Sequence, residues 1–372
     1  MRLGLDYRAV TAAPLSGVAR QTLAMQATLQ QRAGTEVIAY TGAPLGHPHR
    51  DIAQCPPSPS PVNGLHRLPQ RLKFEWQFLP QAIKASQLDV YVATINMGLP
   101  IGYDKHQPHA ARLVLHLHDV FQLTLRNSHA SRLREWFYRV SDRLCIAHSV
   151  NVADAIWVPS QHTADSLVAL FPQARSRVRV LPNAVPFAPW QSDEAPVLLA
   201  GLPTRYWLMV GTREPRKNVR WLVRVWQAAR AQGPDLVPDL VLVGHPEDVP
   251  GAPAGVHFVH GLSDDQLRDL YRGAERLWHP SYAEGFGLPV VEAAACGTPV
   301  AVARGSSLDE VCPPWAPRFA PDDDARLLTL MLSLARAQRG PDESAQACRD
   351  WARRFDVPAY AQRLDTLIKE LV

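Results

Sequence analysis

Glu284-Gly-Phe-Gly-Leu-Pro-Val-Val-Glu292 sets two carboxylates with seven residues between them, and a glycine pair flanking an aromatic follows the first directly. Upstream, Trp278-His-Pro-Ser-Tyr282 reads as the end of a strand. Downstream, Val290 to Ala295 reads as the opening turns of a helix that stops at Gly297. A strand, a glycine-rich turn and a helix in that order leave bare backbone N–H groups and the positive end of a helix where an anion can sit. Glu284 falls at the turn and Glu292 about two helical turns inside, roughly 11 Å further along at ~1.5 Å per residue. That spacing suits a ligand with a phosphate in its middle and hydroxyl-bearing groups at both ends. A nucleotide-sugar is such a ligand.

A second strand-to-helix turn, Val210-Gly-Thr-Arg-Glu-Pro-Arg-Lys-Asn218, places Gly211 at a strand end and Arg216 and Lys217 at the mouth of the next helix. Two cations there suit a diphosphate, whose charge they neutralise as it leaves. Alone, the segment would be a solvated basic turn. Its pairing with the glutamate segment later in the same half gives it chemical weight.

The elements that must hold these turns form two series. In the first, strands are expected at Arg2 to Asp6, Glu36 to Tyr40, Val90 to Ala93, Leu113 to His116, Ala155 to Val158 and Val178 to Leu181, with helices between, such as Val18 to Arg32. Strand–helix–strand spacing of this kind builds a parallel sheet. Residues 45–70 are rich in Pro, His and Gly and read as an irregular loop, and the proline-studded stretch 183–204 reads as a linker. The second series has strands near 207–210, 240–243, 257–259, 276–278 and 299–302, and helices near 219–231, 264–273, 289–296 and 323–337. A last helical run, 358–371, keeps Tyr360, Leu364, Leu367, Ile368 and Leu371 on one face. The expected division is an N-terminal acceptor-side domain over 1–190, a donor-binding domain over 203–350, and a C-terminal helix over 351–372 that packs back toward the first domain. Two doubly wound Rossmann-like α/β domains of this sort are expected to face each other across a cleft, because ligands sit at the carboxyl ends of parallel strands.

A chain of 372 residues is long enough for two such domains without staples. Its five cysteines are scattered and form no CxxC pair, so neither a disulfide framework nor a zinc site is indicated. A reducing cytoplasm fits that usage. The N-terminus lacks the apolar run of a signal peptide, and no unbroken apolar stretch is long enough to span a bilayer. Residues 1–200 carry 19 Lys/Arg against 13 Asp/Glu, a net of +6, while residues 201–372 carry 20 against 22, a net of −2. The basic half favours an anionic membrane surface or an acidic acceptor. The excess is too small and dispersed for nucleic acid.

Taken together, these segments resemble the retaining glycosyltransferases of GT-B fold, family 4, over most of the chain. Glu284 and Glu292 match that family's glutamate pair, and Gly211-Thr-x-Glu-Pro-Arg-Lys-Asn218 matches its phosphate loop. Pro280-Ser281, Gly285-Phe-Gly-Leu-Pro289 and Ala295-Cys-Gly-Thr-Pro-Val300 match closely. Val158-Pro-Ser160 and Arg179-Val-Leu-Pro-Asn183 match the end of the first domain, Leu117-His118-Asp119 matches the active-site histidine, and Gly17 falls in the N-terminal glycine loop. The resemblance implies roles for each. Lys217 with Arg216 binds the donor diphosphate. Gly211, Thr212, Gly285, Phe286, Gly287 and Leu288 line the phosphates and sugar. Glu292 accepts from the ribose hydroxyls, and Glu284 touches the sugar near the reacting carbon, where a carboxylate can also steady an oxocarbenium-like sugar. His118 reaches the sugar or the developing charge, and Gly17 lets the N-terminal loop approach the diphosphate.

Departures from the pattern fall at Ala184 and Pro186, where glycine and aspartate are usual, and at His260, which stands in place of a glycine. The turn after Phe258 normally meets the base, which makes Leu262 the candidate for base packing.

Asp322-Asp-Asp324 has the look of a metal motif, but its place before Ala325-Arg-Leu-Leu makes helix capping the better account. No metal and no cofactor are therefore expected. His116 is read as structural and His118 as functional. The stretch Arg126 to Arg143 holds five arginines among Leu133, Trp136, Phe137 and Val140. It is either a basic amphipathic helix on an anionic membrane or a core-facing helix with a solvated basic face, and the second is preferred because an α/β domain needs the apolar face for packing. The resemblance implies transfer of a hexose, leaning to mannose or rhamnose from a GDP-sugar, to a lipid-linked or oligosaccharide acceptor of bacterial surface polysaccharide. A UDP-sugar donor and a catalytically silent nucleotide- or glycan-binding module are the alternatives. The expected partners are the nucleotide-sugar donor, the glycan or lipid-linked acceptor and the inner membrane's cytoplasmic face.

Overall fold

The computed structural model describes residues 1–371 except 15, 43–44, 46–48, 50–51, 56–67, 126–131, 188–189, 191–195, 198 and 338–342. Most of the expected irregular loop at 45–70 and part of the 183–204 linker lie outside the described residues. By contacts the chain divides into two units, Met1–Ala184 with Tyr360–Val372, and Val185–Ala359.

The first unit runs β1 (Arg2–Asp6), α1 (Arg8–Ala12), α2 (Gly17–Gln30), β2 (Glu36–Tyr40), α3 (Leu68–Leu72), a π segment (Lys73–Phe78), α4 (Leu79–Ala85), β3 (Val90–Ala93), β4 (Arg112–His116), α5 (Phe121–Thr124), α6 (Arg132–Val152), β5 (Ala155–Val158), α7 (Gln161–Leu170) and β6 (Val178–Val180). The strands form a parallel sheet in the order β2-β1-β3-β4-β5-β6. Alternation along each strand feeds two cores. Leu113, Leu115, Ile156 and Val158 point to one, with α4, α6 and α7. Leu3, Leu5, Val90, Val92 and Val114 point to the other, with α2 and the side chains Tyr360, Leu364, Leu367 and Ile368. Near-continuous apolar strands are what a sheet covered on both faces requires. Arg32, in the turn after α2, and Asp365, on the chain's last helix, are 2.9 Å apart.

The second unit runs β7 (Tyr206–Val210), α8 (Val219–Gln232), β8 (Asp239–Val243), β9 (Val256–Val259), α9 (Asp264–Gly273), β10 (Arg276–His279), α10 (Leu288–Ala295), β11 (Val300–Ala303), α11 (Leu308–Val311), β12 (Arg318–Phe319), α12 (Asp324–Arg336) and α13 (Ala345–Ala352); α14 (Val357–Lys369) then carries the chain back into the first unit. Its parallel sheet has the order β12-β11-β10-β7-β8-β9. Tyr206, Leu208, Leu277 and Val302 face a core shared with α9, α10 and α13. Trp207, Met209, Trp278 and Ala301 face another with α8 and α12.

Two local expectations bear on function. Asp323 accepts from the Arg326 N–H at 3.1 Å and caps α12, while Asp324 accepts from the Trp221 indole at 2.6 Å, so the acidic triplet is tied up in helix packing. In the described part of the arginine-rich helix Ile146 and Val150 enter the core and Arg139 and Arg143 are exposed, as the preferred reading has it, whereas Trp136 and Val140 are exposed as well. Residues 126–131, and the side chains of 132–135, 137 and 138, lie outside the described residues. In the remainder of α6 the core side is met by Ser141, Ile146, Ser149 and Val150, whereas Trp136, Val140 and Leu144 are exposed.

Candidate functional site

The site of the second unit is built where β7 and β10 end and their helices begin. The 3₁₀ turn Pro215–Lys217 follows β7 and ends at Asn218, whose left-handed backbone (φ 56°) turns the chain into α8. After β10, residues 280–287 form a loop ending at Gly287, the residue before α10, at φ +103°. A Cβ on Gly287 would lie 2.6 Å from Leu308 Cδ2. Glycine is needed there both for its backbone angle and for space. Ser307 closes the loop from the other side, its hydroxyl set 2.8 Å from the Glu284 carbonyl and 3.0 Å from that of Phe286. Phe286 is itself buried, edge-on to Phe355.

This scaffold brings Glu284, Lys217 and Arg216 together. Glu284 Oε1 accepts from Lys217 Nζ at 2.6 Å and from His279 Nε2 at 3.0 Å, and its Oε2 lies 2.7 Å from an Arg216 guanidinium nitrogen. Arg216 also donates to the Ala283 carbonyl at 2.9 Å and grips Glu214 at 2.8 Å. Burial alone would raise the Glu284 pKa, but the Lys217 ammonium, the His279 N–H and the Arg216 guanidinium overcome it and hold the carboxyl well below its usual range. Burial, reinforced by Lys217, pushes the His279 imidazole down. It is therefore a neutral N–H donor whose Nδ1 is buried without a partner. Lys217 and Arg216 face Glu284 at the buried heart of the site, and the exposed Glu214 supplies the second counter-charge from the solvent side.

His279 is the residue missed in the reading of the motif. It sits at the end of β10 and looks there like one more strand position. A histidine five residues before a glutamate, on opposite sides of a tight turn, was the available signal.

Glu292 lies on α10 and accepts from the Tyr271 hydroxyl of α9 at 2.8 Å. Gly285 and Leu288 flank the same turn, Gly285 buried and Leu288 half-buried. Gly211 adopts φ +86° and leaves room for Lys217, whose Cε would lie 3.7 Å from a Cβ there. Thr212 is turned away from this cluster. Its hydroxyl donates to Asp248, and a Cβ on Gly244 would fall 1.7 Å from it. Leu262 is half-buried against the core between α9 and α10, which takes up at least part of the apolar surface expected for base packing.

His118 and Gly17 lie in the first unit. Gly17 is exposed at the start of α2, capped by Ser16, whose hydroxyl accepts from the Ala19 N–H. His118 follows β4. Its Nε2 is 2.9 Å from the Thr94 carbonyl and its backbone N–H donates to Asn96 Oδ1 at 2.8 Å. The same Asn96 donates to Asp119 and Gln122. Burial pushes the His118 pKa down to about 4, so the ring is neutral, with its proton on Nε2 toward Thr94. Nδ1 is then a hydrogen-bond acceptor. His116 lies beside His118. The two are on the same side of the strand end, both buried, with ring centroids 4.4 Å apart.

Comparison with known proteins identifies the family and the fold. Residues 15–189 match the model for Glycosyltransferase Family 4, and residues 204–335 match that for Glycosyl transferases group 1. The chain is a glycosyltransferase family 4-like protein. An O-antigen chain mannosyltransferase B from Escherichia coli is 37% identical over 116 residues, which is 28% of this chain and 30% of that protein. The chain thus matches about a third of that relative's length. Among solved structures, a sucrose-phosphate synthase from Thermosynechococcus elongatus superposes with a TM-score of 0.72 at 20% identity, covering 100% of this chain and 99% of the other. The Anabaena HepE protein, solved in complex with UDP and glucose, gives 0.70 at 18% identity over 100% of both. These structures share the fold, GT-B, with two parallel sheets and their covering helices.

Proposed function

We propose that the protein transfers a hexose from a nucleotide-sugar to a hydroxyl of a lipid-linked or oligosaccharide acceptor, with retention of configuration. The observation that carries this reading is the Lys217–Glu284–Arg216 cluster. Glu284 pairs with both cations. A donor diphosphate offers them a stronger anionic partner, and as Lys217 and Arg216 turn to it, Glu284 is released toward the sugar. The cations then steady the charge that grows on the leaving diphosphate, in a buried setting where such contacts are strongest. Glu284 steadies positive charge on the sugar, and Glu292 accepts from the ribose hydroxyls. His118, neutral, accepts a sugar hydroxyl through Nδ1 and does not carry charge. Gly17 takes the role of close backbone approach that the family resemblance gives it. With two cations on the diphosphate, the reaction needs no divalent metal.

A GDP-sugar carrying mannose or rhamnose is the preferred donor. The name of the E. coli relative supports mannose. A UDP-sugar is the second reading, supported by the UDP held by the Anabaena protein of the same fold. The acceptor reading places the reaction in surface-polysaccharide synthesis on the cytoplasmic side of the inner membrane.

Release of GDP or UDP, measured with each donor, with and without acceptor and with EDTA, tests the proposal. GDP release that survives EDTA is expected. UDP release alone would favour the second donor, and tight nucleotide binding with no turnover of any donor would reduce the protein to a silent binding module.

A further inference from the structure

Asn96 stands just past β3, and its amide grips the segment that carries His118. Oδ1 accepts the backbone N–H of His118 at 2.8 Å and that of Asp119 at 3.4 Å. Nδ2 donates to Asp119 Oδ1 at 3.2 Å and to Gln122 Oε1 at 3.0 Å. The two backbone donors settle which end of the amide is which, because a backbone N–H cannot accept. Asn96 is only 9% exposed. From the same short segment, Thr94 gives its carbonyl to His118 Nε2 at 2.9 Å and its hydroxyl to the Asp6 carbonyl. The exits of β1, β3 and β4 are thereby tied together, and His118 is held twice, by its ring and by its backbone. Asp119 Oδ1 also accepts from the Phe121 N–H at 3.0 Å, which extends the grip to the start of α5.

We infer that Asn96 is a positioning residue that sets the orientation of His118; its effect on turnover rests on the transferase reading, its hold on the ring does not. Only a carboxamide meets the demands of this place. It must accept from two backbone N–H groups on one side and donate to two side-chain oxygens on the other. An aspartate has the acceptor and lacks the donor, and an aliphatic side chain has neither. Burial gives each bond weight, because a donor left unpaired there costs its full desolvation. With its backbone held by Asn96 and Nε2 held by Thr94, the imidazole has one orientation, and Nδ1 is its remaining acceptor. A contact to the reacting sugar gains from such fixing, since no reorientation is needed as the transition state forms. Asn96 acts through His118 and touches neither substrate.

Asn96→Asp is the informative variant. It keeps the acceptor for the His118 N–H and sets a second carboxylate where Nδ2 lies 3.2 Å from Asp119 Oδ1. Two carboxylates so close do not both ionise freely, and one pKa rises. His116 and His118, the titratable rings of this cluster, are kept neutral by burial. At about pH 8 kcat should fall roughly tenfold, the worth of one net hydrogen bond. The donor KM should stay, because the diphosphate contacts belong to the second unit. As pH is lowered toward about 6, a shared proton restores the donor, and the ratio of variant to parent kcat should climb. Asn96→Ala should lower kcat at every pH, and should lower it little further when added to His118→Ala. Imidazole nitrogen shifts, read by NMR, need no turnover. The parent should show His118 in the Nε2–H form, and both Asn96 variants should show the Nδ1–H form beside it at about pH 8. Circular dichroism melts check the fold, and if Asn96→Ala unfolds, Asn96→Asp decides alone. A kcat ratio that ignores pH, losses that add in full in the double variant, or nitrogen signals unmoved in both variants would overturn the inference. If His118→Ala turns over like the parent, or no donor is turned over at all, the transferase role of His118 fails, and the nitrogen signals alone decide whether Asn96 holds the ring.

Discussion

Lys217 Nζ and Glu284 Oε1 meet at 2.6 Å although 67 positions separate them in the chain. One stands after the first strand of its unit and the other after the fourth, and the strand order β10-β7 makes those ends neighbours. The pair thus depends on sheet topology, and it joins the two sequence motifs into one electrostatic unit.

Removing the two ends of this pair should have different consequences. Lys217→Ala leaves Glu284 with Arg216 and His279, so the fold persists while donor turnover falls ~10²-fold or more, as on loss of a charge-stabilising donor. Glu284→Ala leaves two cations facing each other, with only the exposed Glu214 beside Arg216. Breaking a buried pair in this way costs about 3–5 kcal/mol. A nucleoside diphosphate should restore more of the melting temperature in Glu284→Ala than it adds to the parent. Parent-like turnover in Lys217→Ala would remove the phosphate role.

His279 is expected to act through Glu284. His279→Phe deletes the N–H 3.0 Å from Oε1, so the carboxylate loses one of the partners that hold its pKa down and must titrate at higher pH. The acid limb of the pH–rate profile should move upward, with kcat falling more than KM rises. His279→Asn, which keeps a donor, should recover part of the shift. A lower rate with an unmoved profile would make the residue merely structural.

Strand positions were legible because buried parallel strands are apolar and short, and the turns between them carry glycine. Glu284, Lys217 and Arg216 were legible as a set because both of their motifs follow strand ends with glycine-bearing turns. His279 was hidden because β10 is read by its apolar neighbours Leu277 and Trp278, and only the turn at 280–287 folds the ring back onto Glu284. Thr212 was misleading for a similar reason. Its contact with Asp248 depends on the close approach of the Gly244 backbone, which local spacing does not report. On α6 the spacing assigned Trp136 and Val140 to the packing face, but in the described part Ile146 and Val150 enter the core and those two are exposed.

Gly287→Ala should be costly on two counts, the φ of +103° and the 2.6 Å approach to Leu308. Each L-residue held in such a conformation costs of order 1–3 kcal/mol. Denaturant unfolding should show a loss in that range or above it. Leu308→Ala in the same chain should return only the part due to crowding. Equal stability of Gly287→Ala and the parent would mean that the loop before α10 adjusts freely.

His118 gives a pH test of the first unit. Its folded pKa of about 4 lies below the unfolded 6.5, so the unfolded chain takes up the proton first. The stability held by the neutral ring is complete above pH 6.5 and is lost as pH falls toward about 4. His116, buried beside it, has its pKa lowered in the same sense, first by burial and then by His118. Thermal melts taken through this window should therefore show stability falling with pH. His118→Gln, which can still donate to the Thr94 carbonyl but does not titrate, should flatten the slope, and His116→Gln with it should flatten it further. Turnover in His118→Gln should drop without any change in the basic limb of the pH–rate profile, since the ring works as a neutral acceptor. An identical slope of stability against pH in parent and variant would place a proton on His118 already in the folded chain, and its role as an acceptor would fall with it.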